Sequence, residues 1–249
     1  MRTHRAVLPL TIVFTLGLAL SGRAARAQYL EWAFNGAPQA ATLHTSYVLT
    51  KTALDLSLRA ATGSSGKPGK PSRRAAAPAP TAARPASTVT SGDAKAAAAL
   101  AKAYPKARRA EASRLFAQLL EGYAKIEESL QLPHGDVAGA AALFLVASYE
   151  GYRDVSVDPS LYALLIQQVR AALATAPAFA EATDAQRRET YEQLAIVGMF
   201  TAAVRAQLGP DAKGQLADNL RASSAQYLRQ FLSVEPDKVR LDARGLAEE

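Results

Sequence analysis

The sequence predicts an all-α fold, a helical bundle of about five to six helices around two buried central helices, preceded by a disordered linker. Three observations support this fold class. Apolar residues recur at steps of three and four along most of the chain after residue 92, as amphipathic helices require. Two segments, 137–149 and 194–204, are apolar on nearly every side, which predicts a central position. Residues 61–92 are rich in proline, alanine, glycine and basic residues.

The first 27 residues have the order of a secretory signal peptide. Arg2 and Arg5 form a charged start, an apolar stretch covers Ala6–Leu20, and the small-residue triplet Ala25-Arg26-Ala27 follows. The apolar stretch is shorter than the roughly 20 residues of a membrane-spanning helix, although an uncleaved anchor is the alternative. We therefore expect cleavage after Ala27 and a periplasmic or secreted protein that does not span the membrane.

The segment 28–60 has a periodicity that leaves its structure open, because part of it alternates as a strand does and part follows helical spacing. It holds the only tryptophan, Trp32, beside Tyr29 and Phe34. We interpret it either as an arm that docks its aromatic side chains on the main domain or as a peptide that binds a partner.

A disordered linker is predicted next. Its only large apolar side chain is Val89, and so little apolar surface does not offset the entropy of ordering the chain. The predicted organisation is a signal peptide at 1–27, a short segment at 28–60, the linker at 61–92 and a helical domain at 93–249.

Charge and cysteine content exclude several classes of protein. The formal net charge of +7 is concentrated near the start of the chain, whereas the region from Asp93 onward has 18 basic and 20 acidic residues. This near-neutral balance argues against a nucleic-acid-binding face. The chain has no cysteine, so neither disulfides nor a lipid-modified cysteine can hold it.

The first long helix is predicted between Pro105, which fits a first turn, and Pro133, which lies past the end. A shorter alanine-rich helix, with Asp93 as its cap, should precede it. The apolar stripe of the long helix consists of Ala112, Leu115, Phe116, Leu119, Leu120, Tyr123, Ile126 and Leu130.

Both central helices have capping signals. Asp136 can cap the first, predicted over Val137–Tyr149. Thr183 and Gln186 have the spacing of a capping box at the start of the second, and Gly209-Pro210 ends it.

Two further helices and a tail complete the domain. Asp158-Pro159 opens a helix that Pro177 stops, and the last helix should cover about Asp211–Leu232. The tail, Val234–Glu249, is expected to be extended or coiled, and no strand pair is expected after residue 92.

Three runs of residues carry a resemblance to a known family. They are Ala103-Tyr104-Pro105 leading into Arg114-Leu115-Phe116-Ala117-Gln118-Leu119-Leu120, then Asp136-Val137-Ala138-Gly139-Ala140-Ala141, and finally Pro236, Val239 and Gly245-Leu246. Through these runs the chain resembles an uncharacterised exported bacterial family, domain of unknown function 6683, over roughly Lys95 to Leu246. The resemblance implies one helical domain behind an export signal, and it implies no activity and no catalytic residues.

Metal and cofactor sites are poorly supported. After the predicted cleavage site the only histidines are His44 and His134, and no Glu-x-x-His or His-x-x-x-His pair occurs. We therefore expect neither a metal nor a cofactor.

His134 and Glu150 are the candidate catalytic residues. His134 lies in the loop that opens a buried helix, where its imidazole could meet the Asp136 carboxylate; the structural alternative is a solvated turn beside a helix cap. Glu150 ends a central helix beside tyrosines, where burial could raise its pKa and make it a general acid towards a glycan. The alternative for Glu150 is a surface ion pair with Arg153.

Two classes of function remain open. The first is a non-catalytic binding or structural module of the bacterial envelope, with an envelope protein or a cell-wall polymer as its partner. The second is a cell-wall glycan hydrolase that uses Glu150 as general acid. The sequence favours the first class, because no second positioned acid, nucleophile or metal accompanies Glu150.

Signal peptide cleavage gives the first testable prediction. The exported protein should begin at Gln28, whose side chain can cyclise to pyroglutamate, and the mass of protein isolated from the periplasm or medium should match that start. A species in the membrane fraction that still begins at Met1 or Arg2 would contradict the prediction.

Overall fold

A computed structural model describes residues 87–89 and 95–249. The predicted cleavage site, the segment 28–60, most of the linker and the proposed cap Asp93 lie outside the described residues. Within them the structure is a bundle of seven α-helices with one small β-hairpin, so the predicted all-α fold is confirmed. The helices are α1 (Ala96–Ala101), α2 (Arg109–Ser129), α3 (Val137–Arg153), α4 (Ser160–Thr175), α5 (Pro177–Glu181), α6 (Asp184–Leu208) and α7 (Gln215–Leu232).

The two helices at the centre are α3 and α6, as predicted. From Val137 to Ser148 every residue of α3 is buried, and α6 is buried without interruption from Thr190 to Thr201. Along their contact Phe144 faces Gly198, and further on Glu150 faces Arg205, whose Nε donates to the Glu150 carbonyl at 3.2 Å. Residue numbers therefore rise together, and the central helices run parallel.

Gly198 sets how closely α3 and α6 approach. A Cβ atom built on Gly198 would lie 3.0 Å from both the backbone N and the Cα of Phe144. Because those atoms belong to the backbone of a fully buried helix, they cannot move aside as a flexible side chain could. The two backbones thus meet at a position where only glycine fits without strain.

Helices α2 and α7, each antiparallel to the central helix on which it packs, cover the outer sides of the central pair through aromatic contacts. The ring of Phe116 on α2 meets that of Phe200 on α6 edge-on, with centroids 6.1 Å apart. On the other side, Phe144 packs against Tyr227 and Phe231 of α7 at centroid distances of 5.7 and 5.2 Å. These rings join four helices into one core.

The capping predictions for the two central helices are confirmed. The Asp136 side chain accepts a hydrogen bond from the Ala138 amide at 3.2 Å, and α3 begins directly after Asp136. Thr183 and Gln186 form a reciprocal capping box at the start of α6. Three predicted boundaries shift: α2 begins at Arg109 after a short 3-10 turn, α3 continues past Tyr149 to Arg153, and α7 begins at Gln215 because the preceding loop includes Gly214 with a φ of 102°.

The tail differs from the expectation. Val239–Asp242 (β1) and Gly245–Glu248 (β2) form an antiparallel hairpin in which Val239 pairs with Glu248. The hairpin lies on α4, where the Gln168 side chain accepts from the Leu246 amide at 2.9 Å. Strands of four residues give too short an alternation to stand out in the sequence, and a contact 78 residues away completes them.

No helix within residues 87–89 and 95–249 combines the length and apolarity that a membrane crossing needs.

The close contact at Gly198 predicts that Gly198→Ala destabilises the protein by about 1 to 3 kcal/mol, since the added methyl group collides with backbone. Gly122→Ala is the matched control. It also lies inside a long helix, but its added methyl group meets only the flexible end of Met199 at 3.2 Å. Removing a helical glycine there should be neutral or stabilising by up to about 1 kcal/mol. Urea unfolding of both variants measures the difference, and equal effects would contradict the packing argument.

Candidate functional site

A buried glutamate, Glu127, lies in the last turn of α2, beside the loop that leads to α3. Its side chain has no exposed surface. The carboxylate accepts from the Gly135 and Asp136 amides, each at 3.2 Å to Oε1, and from the Tyr191 hydroxyl at 3.0 Å to Oε2. Burial raises the Glu127 pKa, while the hydrogen bonds from Tyr191 and the two amides oppose that rise.

The sequence-based prediction missed Glu127, although a signal was present. Glu127 lies four residues after Tyr123 and seven after Leu120, both on the apolar stripe of α2. An acid at a stripe position indicates a buried carboxylate with polar partners. The exposed neighbour Glu128 masked this signal.

His134 meets a carboxylate, but a different one from that predicted. Its Nδ1 lies 3.4 Å from Glu127 Oε2, and its Nε2 lies 3.8 Å from Glu128 Oε1. The expected partner, Asp136, turns inward to cap α3. The side chain of His134 is 58 % exposed, whereas that of Glu127 is fully buried. His134 is therefore a turn residue that covers the outer side of the Glu127 carboxylate.

Asp136 has several structural partners. Its side chain is fully buried, and besides capping α3 it accepts from the Ser87 hydroxyl at 2.8 Å and forms an ion pair with Arg170 of α4. The carboxylate therefore joins three elements: the start of α3, the outer helix α4 and the segment Ser87–Val89.

Residues Ser87–Val89 belong to the predicted linker, yet they pack onto the domain. Thr88 forms a β-bridge with Asp136, and the side chain of Val89 is buried. Val89 packs there because it is the one large apolar side chain of the linker, and its burial is favourable. The loop between α2 and α3 also provides backbone groups that form hydrogen bonds with the segment.

Glu150 is held by groups that the sequence did not reveal. Its carboxylate accepts from the Val157 amide at 2.8 Å and lies 3.9 Å from Arg205, and 19 % of the side chain is exposed. The expected ion-pair partner, Arg153, instead donates to the Asp237 and Val239 carbonyls. Burial raises the Glu150 pKa, and the Val157 hydrogen bond and Arg205 oppose the shift.

A small depression beside Gly151, the residue after Glu150, has room for little more than a water molecule. It lies where α3 and α6 end and α7 begins, and Asp154, Arg205 and Arg221 contribute its charged lining. Arg205 also lies 4.0 Å from the Asp154 carboxylate. One guanidinium thus neutralises two acids at this edge of the bundle.

A third buried acid, Glu192 on α6, holds the start of α1. Its carboxylate accepts from the Lys95 and Ala96 amides at 3.0 and 2.9 Å. Burial is the main cause that raises its pKa. Glu127, Glu150 and Glu192 therefore share one role, because each accepts hydrogen bonds from backbone amides of a neighbouring loop or helix start.

The same part of the chain, 87–89 with 95–249, contains no group of three or more His, Asp and Glu side chains placed to hold a metal ion.

The fold and its buried acids define a class: a helical domain with two parallel central helices, in which carboxylates fix loops to the bundle. The chain belongs to the family described as a family of unknown function (DUF6683), which matches residues 9–248. This match begins well before Lys95, where the resemblance in the sequence was expected to start. Comparisons with curated proteins and with solved structures give no significant match.

The role of Glu127 gives a stability prediction. Glu127→Ala leaves two buried amides and the Tyr191 hydroxyl without their acceptor, and it should lower the free energy of unfolding by about 2 to 4 kcal/mol. Glu128→Ala is the control, since its side chain is 66 % exposed, and it should change stability by less than about 0.5 kcal/mol. Denaturant unfolding compares the two variants, and a harmless Glu127→Ala would show that the carboxylate does not hold the loop.

Proposed function

We propose that the protein is exported and acts in the bacterial envelope as a non-catalytic module that binds an envelope protein or a cell-wall polymer. The order of charged, apolar and small residues at 1–27 supports export. The helical domain is nearly neutral and follows a basic stretch, which favours binding to an envelope component over binding to nucleic acid.

The observation that carries this proposal is the use of three glutamates, of which two are buried and one is partly exposed. A general acid needs a carboxyl group that is free to meet substrate and to exchange its proton. Glu127, Glu150 and Glu192 instead accept backbone hydrogen bonds at 2.8 to 3.2 Å that fix the chain around them. Such acids stabilise a rigid scaffold, and a rigid scaffold suits binding through its surface.

A glycan hydrolase with Glu150 as general acid is the second candidate. The observation that favours it is that burial raises the Glu150 pKa while part of the side chain stays exposed beside the depression lined by Asp154 and Arg205. Against it, the ion pair with Arg205 and the Val157 amide both stabilise the ionised form, which cannot donate a proton.

A binding and hydrolysis assay separates the two candidates. The mature protein should sediment with isolated envelope material without releasing soluble sugar, and Glu150→Gln should leave both results unchanged. Protease treatment of the envelope then distinguishes a protein partner from a polymer. Glu128→Gln is the control for the loss of an acid on the surface. Sugar release that falls at least a hundredfold in Glu150→Gln, with the fold intact by circular dichroism, would establish the hydrolase instead.

A further inference from the structure

Ser87–Val89 lies along Gly135–Val137 as an added strand. The Val89 amide donates to the Gly135 carbonyl at 3.0 Å, and the Val137 amide donates to the Ser87 carbonyl at 3.0 Å. Thr88 and Asp136 are the antiparallel partners between these two bonds. This is the geometry by which a sheet edge takes up an extended peptide.

The receiving surface is formed by buried polar groups. The Asp136 carboxylate, which has no exposed surface, accepts the Ser87 hydroxyl while Arg170 binds its other oxygen. Gly135 has a φ of +79°, and a Cβ there would lie 2.7 Å from the Val89 carbonyl oxygen. The backbone of the receiving loop therefore contacts the segment at a distance that only glycine permits.

The contacts select a particular kind of segment. Side chains alternate along a strand, so Ser87 and Val89 face the domain together while Thr88 faces away. Ser87 and Val89 are 5 % and 6 % exposed, whereas Thr88 is only partly buried. The surface recognises a hydroxyl residue followed, two positions later, by a β-branched apolar residue.

The attachment is small compared with the helices around it. Two backbone hydrogen bonds, one hydroxyl–carboxylate bond and one buried valine are among the contacts that hold the described segment. A three-residue segment outside the helices can open locally without unfolding of the whole domain.

We propose that the surface of Gly135–Val137 is a strand-recognition site, occupied within the chain by Ser87–Val89 and open to an extended segment of a protein partner once that segment is released. The partner segment carries a hydroxyl residue two positions before a β-branched apolar residue. This inference rests on the proposed binding function and names the place where a protein partner docks.

Hydrogen exchange of the full mature chain tests release. The Val89 and Val137 amides should exchange at least a hundredfold faster, relative to their intrinsic rates, than the Phe144 amide in the middle of α3. Equal protection at all three amides would mean that the segment leaves only when the domain unfolds, and the proposal would be abandoned.

A labelled peptide of residues 85–91 tests occupation by a separate chain. It should bind the full-length Val89→Asp chain, whose own segment is expelled by a buried charge, at least ten times more tightly than the wild-type chain. Ser87→Ala and Val89→Asp peptides should bind at least ten times more weakly.

The same measurements overturn the proposal if a folded Val89→Asp chain does not bind the unchanged peptide or binds all three peptides with equal affinity. If circular dichroism shows that Val89→Asp does not fold, the full-length Ser87→Ala chain takes its place. If the peptides do not show the expected order of affinities but the protein still binds envelope material, only this site is rejected. If the peptides show the expected order of affinities but the protein does not bind envelope material, the proposed function in the envelope is rejected.

Discussion

The contact between α3 and α6 at Gly198 is the constraint on which the rest of the structure depends. Because Gly198 has no side chain, the backbones of two parallel helices meet within their most apolar stretches. A parallel pair cannot be joined by a short turn, so the chain returns through α4 and α5 before α6 begins. α2 and α7 then cover the sides that the pair leaves open. The order of the whole bundle follows from that pairing.

Close packing of the central helices brings polar backbone groups into the interior. The buried acids serve as hydrogen-bond acceptors for these groups. The first amides of a helix have no partner within the helix, and a buried loop has the same need. Asp136 meets it for α3, Glu192 meets it for α1, and Glu127 meets it for the loop between α2 and α3. Each acid thereby converts an amide that would destabilise the core into a cross-link between elements.

The sequence predicts the features whose signals are local. The two central helices, the Asp136 cap and the Thr183 capping box depend on neighbouring residues, and the structure confirms them. The sequence does not predict contacts between residues far apart. Glu150 meets Arg205, which is 55 residues away, and His134 meets Glu127 because Asp136 is already turned inward. The hairpin and Ser87–Val89 were missed for the same reason, since both are completed by distant elements.

Asp136 and Glu127 also connect the segment Ser87–Val89 to the core. Ser87 binds the same Asp136 that caps α3, and Asp136 donates its amide to Glu127, which in turn binds Tyr191 of α6. The segment that leads to the N-terminal region is therefore connected to both central helices through two carboxylates. Displacement of Ser87–Val89 would remove a partner from Asp136 at the first turn of α3, where the helix has no other described strand beside it. The start of the most buried helix is thus directly coupled to the segment Ser87–Val89.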